Sequence, residues 1–290
     1  MTDARAAPNF DSAAHVAGAL RGTGYVPDTR IASVVHLADR LGKPILIQGP
    51  AGTGKTQLAR SVADATGLQL IRLQCYEGLD ESKALYEWDY RRQLLQITAQ
   101  QSSGVSDDLF GEQFLLTRPL LSAIRSDQQA VLLIDEVDRL DIETEALLLE
   151  VLSEFQVSIP ELGTLRARVR PLVFLTSNNS RDLSEALKRR CLFLHIGYPS
   201  VEREREIVLA QVPGISGVLA GKVSQLVRSL RGLDLKKRPS VSETLDWART
   251  LLLLGVDDVS PEIVVDTLPV LLKNEADIEI ATKELDGSGS

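Results

Sequence analysis

The eight residues Gly49-Pro50-Ala51-Gly52-Thr53-Gly54-Lys55-Thr56 stand between an apolar run, Pro44 to Gln48, and a helix-forming run, Gln57 to Ala65. Glycines in the pattern G-x-x-x-x-G-K-[ST] let the backbone wrap tightly and turn its N–H groups inward onto phosphate oxygens. Lys55 adds a mobile positive charge for the β- and γ-phosphates. Thr56 offers a hydroxyl to Mg²⁺ and opens a helix whose positive dipole end faces the anion. The chemistry expected of these residues is the cradling of a nucleotide's phosphates. The bland alternative, a glycine-rich turn without a ligand, needs a chance match to four constrained positions, which a chain of this length meets roughly 1% of the time.

A second acidic element follows. Ala130-Val131-Leu132-Leu133-Ile134 is a continuous apolar run that suits a strand buried on both faces of a parallel sheet, and it ends abruptly in Asp135-Glu136. Two carboxylates at the carboxyl end of a central strand lie where α/β sheets bind ligands. Asp135 is expected to hold magnesium through its water shell and Glu136 to polarise the attacking water. Burying both without a cation would be costly, so the alternative is a solvated helix start after a strand. The gap between Lys55 and Asp135 leaves room for a further strand, Leu68 to Leu73. This is the pattern of P-loop ATPases with a dedicated catalytic glutamate. No Asn-Lys-x-Asp guanine-reading motif is present, so ATP with Mg²⁺ is the expected pair.

The elements that must position these groups can be read along the chain. A helix is expected from Thr29 to Leu41, after Pro27 and the capping candidate Asp28, then the first strand. After the acidic strand come a helix over Glu143 to Phe155 and a hairpin of Gln156 to Ile159 with Thr164 to Val169 around Pro160-Glu161-Leu162-Gly163. Proline cannot donate to a central ladder, so Pro171 marks the entrance of a strand over Leu172 to Thr176. A short helix, Leu183 to Arg189, leads to a last strand, Leu192 to Ile196. The β-then-α alternation predicts an α/β fold, a parallel sheet with helices on both faces. Beyond Gly197-Tyr198-Pro199 only helices are expected, near 201–212, 216–231, 241–254 and 261–272. The expected organisation is a flexible segment over 1–24, a nucleotide-binding domain over 25–200, a helical lid domain over 201–284 and a flexible tail over 285–290.

Composition limits the partners. The chain has 290 residues, 44% of them hydrophobic, enough for one α/β domain plus a smaller second one. A net charge of −8 and no long Lys/Arg stripe argue against nucleic acid as the main substrate. Cys75 and Cys191 lack metal-ligand spacing and read as reduced core residues, so no metal site is built on cysteine. Apolar stretches are far shorter than a membrane span, and the N-terminus has no charged-then-apolar signal pattern. The expected location is the cytoplasm, without membrane insertion.

These motifs resemble those of the AAA+ ATPases and, more specifically, of the MoxR family, over roughly residues 25 to 280. The telling segments are Thr176-Ser177-Asn178, Leu183-Ser184-Glu185-Ala186-Leu187-Lys188-Arg189-Arg190 and Gly197-Tyr198-Pro199. The resemblance implies a P-loop AAA+ module with an all-helical C-terminal lid. It gives Asn178 the role of a sensor orienting the attacking water. It makes the arginine ending the short helix a finger reaching a neighbouring subunit's γ-phosphate. Where relatives read Asp-Arg-Phe this chain has Arg189-Arg190-Cys191, which aligns the finger with Arg190 and keeps Arg189 as the alternative. A lid arginine sensor is also implied; the region reads Lys236-Lys237-Arg238-Pro239-Ser240, with Arg238 as its carrier or else a plain basic loop before a helix. An insert over about 76–110 and the 156–169 hairpin look like the two insertions of this branch. Tyr76-Glu77-Gly78-Leu79-Asp80 through Arg118-Pro119-Leu120 is similar to the subgroup encoded beside molybdenum-containing carbon monoxide dehydrogenases and related hydroxylases. The resemblance therefore implies a homo-oligomer, a hexamer, that remodels a protein client during metallo-enzyme maturation with a von Willebrand factor A (VWA) partner. The alternatives are a nucleic-acid motor or loader, or another MoxR-type task such as gas-vesicle assembly.

Within the insert, Tyr86, Trp88 and Tyr90 fall at i, i+2 and i+4, so an extended strand would put all three on one face. Such a face would suit a protein partner, and the alternative is packing within its own domain. Trp247, on an expected lid helix, reads as a core residue.

Overall fold

The computed structural model describes residues 9–100, 110–256 and 258–287. In chain order these form α1 (Ala13–Gly22), α2 (Thr29–Leu41), β1 (Ile45–Gln48), α3 (Lys55–Thr66), β2 (Gln69–Gln74), α4 (Glu81–Ala84), β3 (Tyr86–Trp88) and α5 (Tyr90–Gln100). Then follow β4 (Leu115–Thr117), α6 (Pro119–Arg125), β5 (Ala130–Asp135), α7 (Ile142–Glu154), β6 (Gln156–Ile159), β7 (Gly163–Arg166), β8 (Leu172–Ser177), α8 (Glu185–Arg190) and β9 (Leu192–His195). The helices α9 (Val201–Gln211), α10 (Gly217–Gly232), α11 (Val241–Leu253), α12 (Pro261–Leu271) and α13 (Glu275–Gly287) complete the chain.

Two compact units are formed. One takes the described residues of Met1–Val16 with Thr29–Gln48 and Val62–Leu194; the other takes Ala17–Asp28, Gly49–Ser61 and the described residues of His195–Ser290. The sequence boundary expected at 200 thus differs from this division. Residues 49–61 group with the C-terminal helices because the phosphate loop packs on Ile196, Ser240 and Ser242, and residues 17–28 because Arg203 and Gln211 of α9 bind Gly24, Val26 and Asp28.

The first unit is built on a five-stranded sheet in the order β2-β5-β8-β1-β9. The pairs β2·β5, β5·β8 and β8·β1 are parallel. The fully buried strands lie in the middle: every residue of β5 and of β8 is buried, apolar up to the polar ends Asp135 and Thr176-Ser177, which requires cover on both faces. The outermost strands β2 and β9 are partly exposed and carry mixed residues, as edges tolerate. The expected α/β architecture is therefore present. Register places Gln48 opposite Ser177 and Gln74 opposite Asp135, so the carboxyl ends of four neighbouring strands are aligned. Two antiparallel strand pairs stand apart from this sheet: β3·β4, whose strands are separated in sequence by α5, and the hairpin β6·β7.

The second unit packs Val208, Leu219, Val223, Val227, Trp247 and Leu268 into its own core. Ser200, Ser216, Ser240 and Ser260 each cap a helix by accepting the amide three residues on, so every start from α9 to α12 carries a sequence-encoded cap. The C-terminal α13 was not expected; it reaches Gly287 and buries Ala281, so residues 285–287 of the expected 285–290 tail are helical, and 288–290 lie outside the described residues.

A second correction concerns the N-terminus. The expected flexible segment 1–24 contains α1, with Phe10, Val16 and Leu20 buried; residues 1–8 lie outside the described residues. Asn9 anchors its start, donating Nδ2 to Asp39 Oδ1 and Gln129 Oε1, both at 2.9 Å. Among the described residues no helix is long and apolar enough to cross a membrane.

Candidate nucleotide-binding site

In the second unit the loop after β1 has the shape of an anion cradle. Gly49, Gly52 and Gly54 take φ of 153°, 71° and 90°, positions where a side chain strains the backbone. A Cβ on Gly49 would stand 2.0 Å from the carbonyl oxygen of Ile196, so this turn closes only on a glycine. Thr53 Oγ1 donates to Pro50 O at 2.9 Å and ties the loop internally. Lys55 is buried, and its ammonium donates to Gly49 O and Pro50 O, each at 2.7 Å, so the cation is held inside the loop. Lys55 and Thr56 are the first two residues of α3, so the N-terminal, positive dipole end of that helix faces the cradle. A ring of amides around a buried ammonium fits a polyphosphate.

Beside the loop the same unit has a cavity of about 270 Å³ lined by Tyr25, Val26, Gly52, Gly54, Ile207 and Leu245 among others. Its wall is fastened by α9. Arg203 donates Nε and Nη2 to Val26 O at 3.3 and 3.1 Å and pairs through Nη1 with Asp28 at 2.7 Å, while Gln211 Nε2 donates to Gly24 O at 2.7 Å. Sequence reasoning passed over these residues. The available signal was Gly24-Tyr25-Val26-Pro27, an aromatic and an apolar residue held between a glycine and a proline just before α2.

In the first unit, β5 delivers Asp135 and Glu136. Asp135 is buried, and its Oδ1 accepts the hydroxyl of Thr176 at 2.6 Å. Its Oδ2 accepts Arg72 Nη2 at 2.6 Å and Nε at 3.1 Å. Glu136 turns into the left-handed region, φ 59° and ψ 47°, an uncommon conformation for a non-glycine residue that re-aims its side chain away from the strand. Its amide donates to Thr176 Oγ1 at 2.9 Å, so one threonine on β8 fixes both acidic residues. The Glu136 carboxylate is half-buried and receives Arg139 Nε at 2.8 Å and Gln74 Nε2 at 3.2 Å on Oε2.

Asn178 follows β8 and is half-buried; its amide donates to Asp138 Oδ1 at 3.2 Å. Ser180 donates its amide and hydroxyl to Asp138 Oδ2 at 2.9 and 2.6 Å. Burial alone would raise the Asp138 carboxyl, but the Ser180 and Asn178 hydrogen bonds outweigh it and hold the group below the usual carboxylate range. Asp138 was missed at the sequence level, being one more charge in the run Asp135-Glu136-Val137-Asp138.

Arg189 and Arg190 end α8. Arg190 bonds within its own chain, through Nε to Ser153 Oγ at 2.5 Å and Nη1 to Ala186 O at 2.9 Å, whereas Arg189 is exposed. Arg238 is exposed in the loop before α11. The groups that the start of α11 brings to the phosphate loop are instead serines: Ser242 donates its amide to Gly52 O at 3.3 Å, and Ser240 abuts Gly52. That loop is held from behind by Arg231, which donates Nε to Pro239 O at 2.8 Å, pairs with both oxygens of Glu204 at 2.6 and 2.7 Å and stacks on Tyr198 with 4.6 Å to the ring centroid.

The three insert aromatics do not share a face. Tyr86 and Trp88 lie on β3, but Tyr90 already opens α5, because Asp89 accepts the amide of Arg92 and starts the helix there. Trp88 is buried in the core with Tyr86 and Phe110 edge-on at 6.2 and 5.5 Å, while Tyr90 is 61% exposed. Trp247 is fully buried and donates Nε1–H to Thr267 at 2.8 Å. Burial pushes the thiols of Cys75 and Cys191 up to about 12, Cys75 also through the nearby Asp135.

The sequence profile of the ATPase family associated with various cellular activities (AAA) matches residues 45–198. The chain belongs to that family: residues 45–198 form an ATPase domain, with Mg·ATP as its substrate. Similar proteins include the mitochondrial sorting homolog of Caenorhabditis elegans, 25% identical over 199 residues, covering 67% of this chain and 50% of that protein. Human fidgetin-like protein 1 is 27% identical over 173 residues, 58% of this chain and 21% of that protein. The chain thus spans half or less of these two relatives. An uncharacterised Staphylococcus aureus protein is 22% identical over 244 residues, 79% of this chain and 85% of its own length. Among solved structures, a mutant of Thermotoga maritima RuvB superposes with a TM-score of 0.52 at 19% identity, covering 90% of this chain and 72% of that one. That likeness concerns the fold.

Proposed function

We propose that the chain is a ring-forming, MoxR-type AAA+ ATPase of the cytoplasm that uses Mg·ATP turnover to remodel a protein client. The client is a metallo-enzyme of the molybdenum hydroxylase or carbon monoxide dehydrogenase type, matured with a VWA-domain partner. The observation that carries the remodelling reading is the insert: outside the ATPase sheet, α5 presents Tyr90, Leu94 and Leu95 at 61%, 64% and 66% exposure, an apolar surface on a chain of net charge −8. An acidic chain offering apolar contacts suits a protein better than a polyanion.

In this reading the amides of Gly49 to Gly54 and the Lys55 ammonium hold the phosphates, and Thr56 and Asp135 hold magnesium. Bound there, magnesium would neutralise phosphate charge. Glu136 orients the attacking water and takes its proton, with Asn178 positioning that water. Arg190 of a neighbouring copy, or Arg189 beside it, steadies the charge developing on the transferred group. Arg238, exposed before α11, is the candidate lid sensor in this reading, and Ser240 and Ser242 lie against the loop at Gly52.

Mixing tests the ring. Arg190→Ala and Lys55→Ala are each expected to lose turnover, and the mixture to recover part of it, because an intact cradle on one copy meets an intact finger on the other. Recovery with Arg189→Ala in place of Arg190→Ala would move the finger to Arg189; a dilute monomer as active as the assembly would refute trans catalysis. Capture of a metallo-enzyme or VWA protein by the Glu136→Gln form supports the client assignment. Submicromolar, sequence-independent DNA binding at about 150 mM salt would favour the nucleic-acid reading instead.

A further inference from the structure

The Asp135 carboxylate sits in a conflict that its neighbour on the edge strand resolves. Its side chain is only 4% exposed, and a buried carboxylate without a cation is strongly disfavoured. A magnesium ion that arrives with the nucleotide would leave this carboxylate without a cation between turnovers. Arg72, on β2, meets this need. Register sets Arg72 opposite Leu133 and Gln74 opposite Asp135, so an arginine two residues before the end of β2 reaches the last residue of β5 along the strand pair. Both Nε and Nη2 land on Oδ2, at 3.1 and 2.6 Å, while Oδ1 faces Thr176. The guanidinium cannot shed its proton, so its charge is permanent.

The same Arg72 Nη2 also reaches Gln74 Oε1, and Gln74 Nε2 donates to Glu136 Oε2 at 3.2 Å. Each partner therefore constrains the next: Asp135 fixes Arg72, Arg72 fixes the Gln74 amide, and the Gln74 amide fixes the Glu136 carboxylate. Arg72's side chain is 41% exposed, so it has room to withdraw toward solvent.

We propose that Arg72 is a standing counter-cation of the magnesium-site aspartate, one that sets how much Mg²⁺ the site requires by competing with it for Asp135. The inference rests on the reading of Asp135 as the magnesium-site residue. Arg72 is a positioning residue, since it acts through Asp135 and Gln74.

The test is thermal melting of the purified full chain with saturating ADP, first in EDTA and then across a MgCl₂ titration. Arg72→Met keeps the aliphatic stem and removes the charge. It is expected to melt below wild type in EDTA, to recover most of that loss in saturating MgCl₂, and to reach half of its Mg²⁺-induced shift at a concentration at least threefold lower than wild type. Arg72→Lys keeps a charge without the two-pronged contact and should fall between the two; it carries the test if Arg72→Met does not fold. Asp135→Asn should abolish the Mg²⁺-induced shift. If Asp135→Asn leaves the Mg²⁺ response intact, the assignment of Asp135 is wrong. If Asp135→Asn abolishes it while both Arg72 variants keep the wild-type midpoint, or lose equal stability in EDTA and in MgCl₂, Arg72 is merely structural and the inference fails.

Discussion

Gly52 and Ser240 lie so close that a Cβ on the glycine would stand 2.2 Å from the serine Oγ and 2.6 Å from its Cβ. Gly52 occupies a position that the phosphate-binding pattern leaves open, so the pattern itself does not ask for glycine there. The left-handed φ of 71° and the packed start of α11 do. Gly52→Ala should cost about 1–2 kcal/mol from the backbone alone, lower the melting temperature by several degrees and weaken ATP binding. Ser240→Gly in that background should return part of the loss. An unchanged melting temperature in Gly52→Ala would show that the contact has no weight.

Lys55 and Glu136 should separate binding from chemistry. Loss of a charge-assisted contact is worth about 1.5–3 kcal/mol, so Lys55→Ala should weaken ATP binding roughly 10- to 100-fold. Glu136→Gln should bind ATP within about threefold of wild type and lose turnover by more than about 100-fold. Equilibrium binding of a fluorescent ATP analogue, set beside phosphate release, checks both. Equal loss of binding in the two variants would remove Glu136 from its proposed role.

The insert should divide between stability and recognition. Trp88→Ala, emptying a buried site, should destabilise the chain by about 3–5 kcal/mol in urea unfolding. Tyr90→Ala, at a position 61% exposed, should leave stability within about 0.5 kcal/mol and basal ATP hydrolysis near normal while reducing capture of the client. Tyr90→Ala with full client capture would take this helix out of the recognition surface.

Asp138 carries a pH signature. Folding lowers its pKa, so its stabilisation is complete above the unfolded value of about 3.9 and fades as pH falls through that value toward the folded one. Asp138→Asn should therefore melt lower than wild type at pH 7, with the gap shrinking below about pH 4. Because its oxygens hold the amides of Asn178 and Ser180, the variant should also turn over ATP more slowly with little change in KM. A gap independent of pH would mean that the carboxylate's charge is not what matters.

Much of the candidate site was legible because it is local. The cradle is one continuous octapeptide, and the acidic pair ends a strand whose apolar run announces burial. What escaped notice depends on register or distant packing. Arg72 and Gln74, and the grip of Thr176 on Asp135 and Glu136, acquire meaning only once β5 is known to lie between β2 and β8. Arg231 and Glu204 pair across two helices, and nothing in their local sequence marks either as buried. The helix α1 was obscured by Gly18 and Gly22, whose low propensity is overridden by the burial of Val16 and Leu20. Tyr90 was misplaced because a strand period was continued through Asp89, which begins a helix instead.

The carboxylate of Asp277, at the start of α13, accepts the amides of Lys236 and Lys237 at 2.8 and 3.2 Å. Those two amides belong to the loop that leads into α11, so their exchange with solvent deuterium is tied to a helix some forty positions further along the chain. Slow exchange there would time the detachment of α13 as a partial unfolding event, and nucleotide that steadies α11 would slow it further. Two backbone protons thus become a clock for the C-terminal helix.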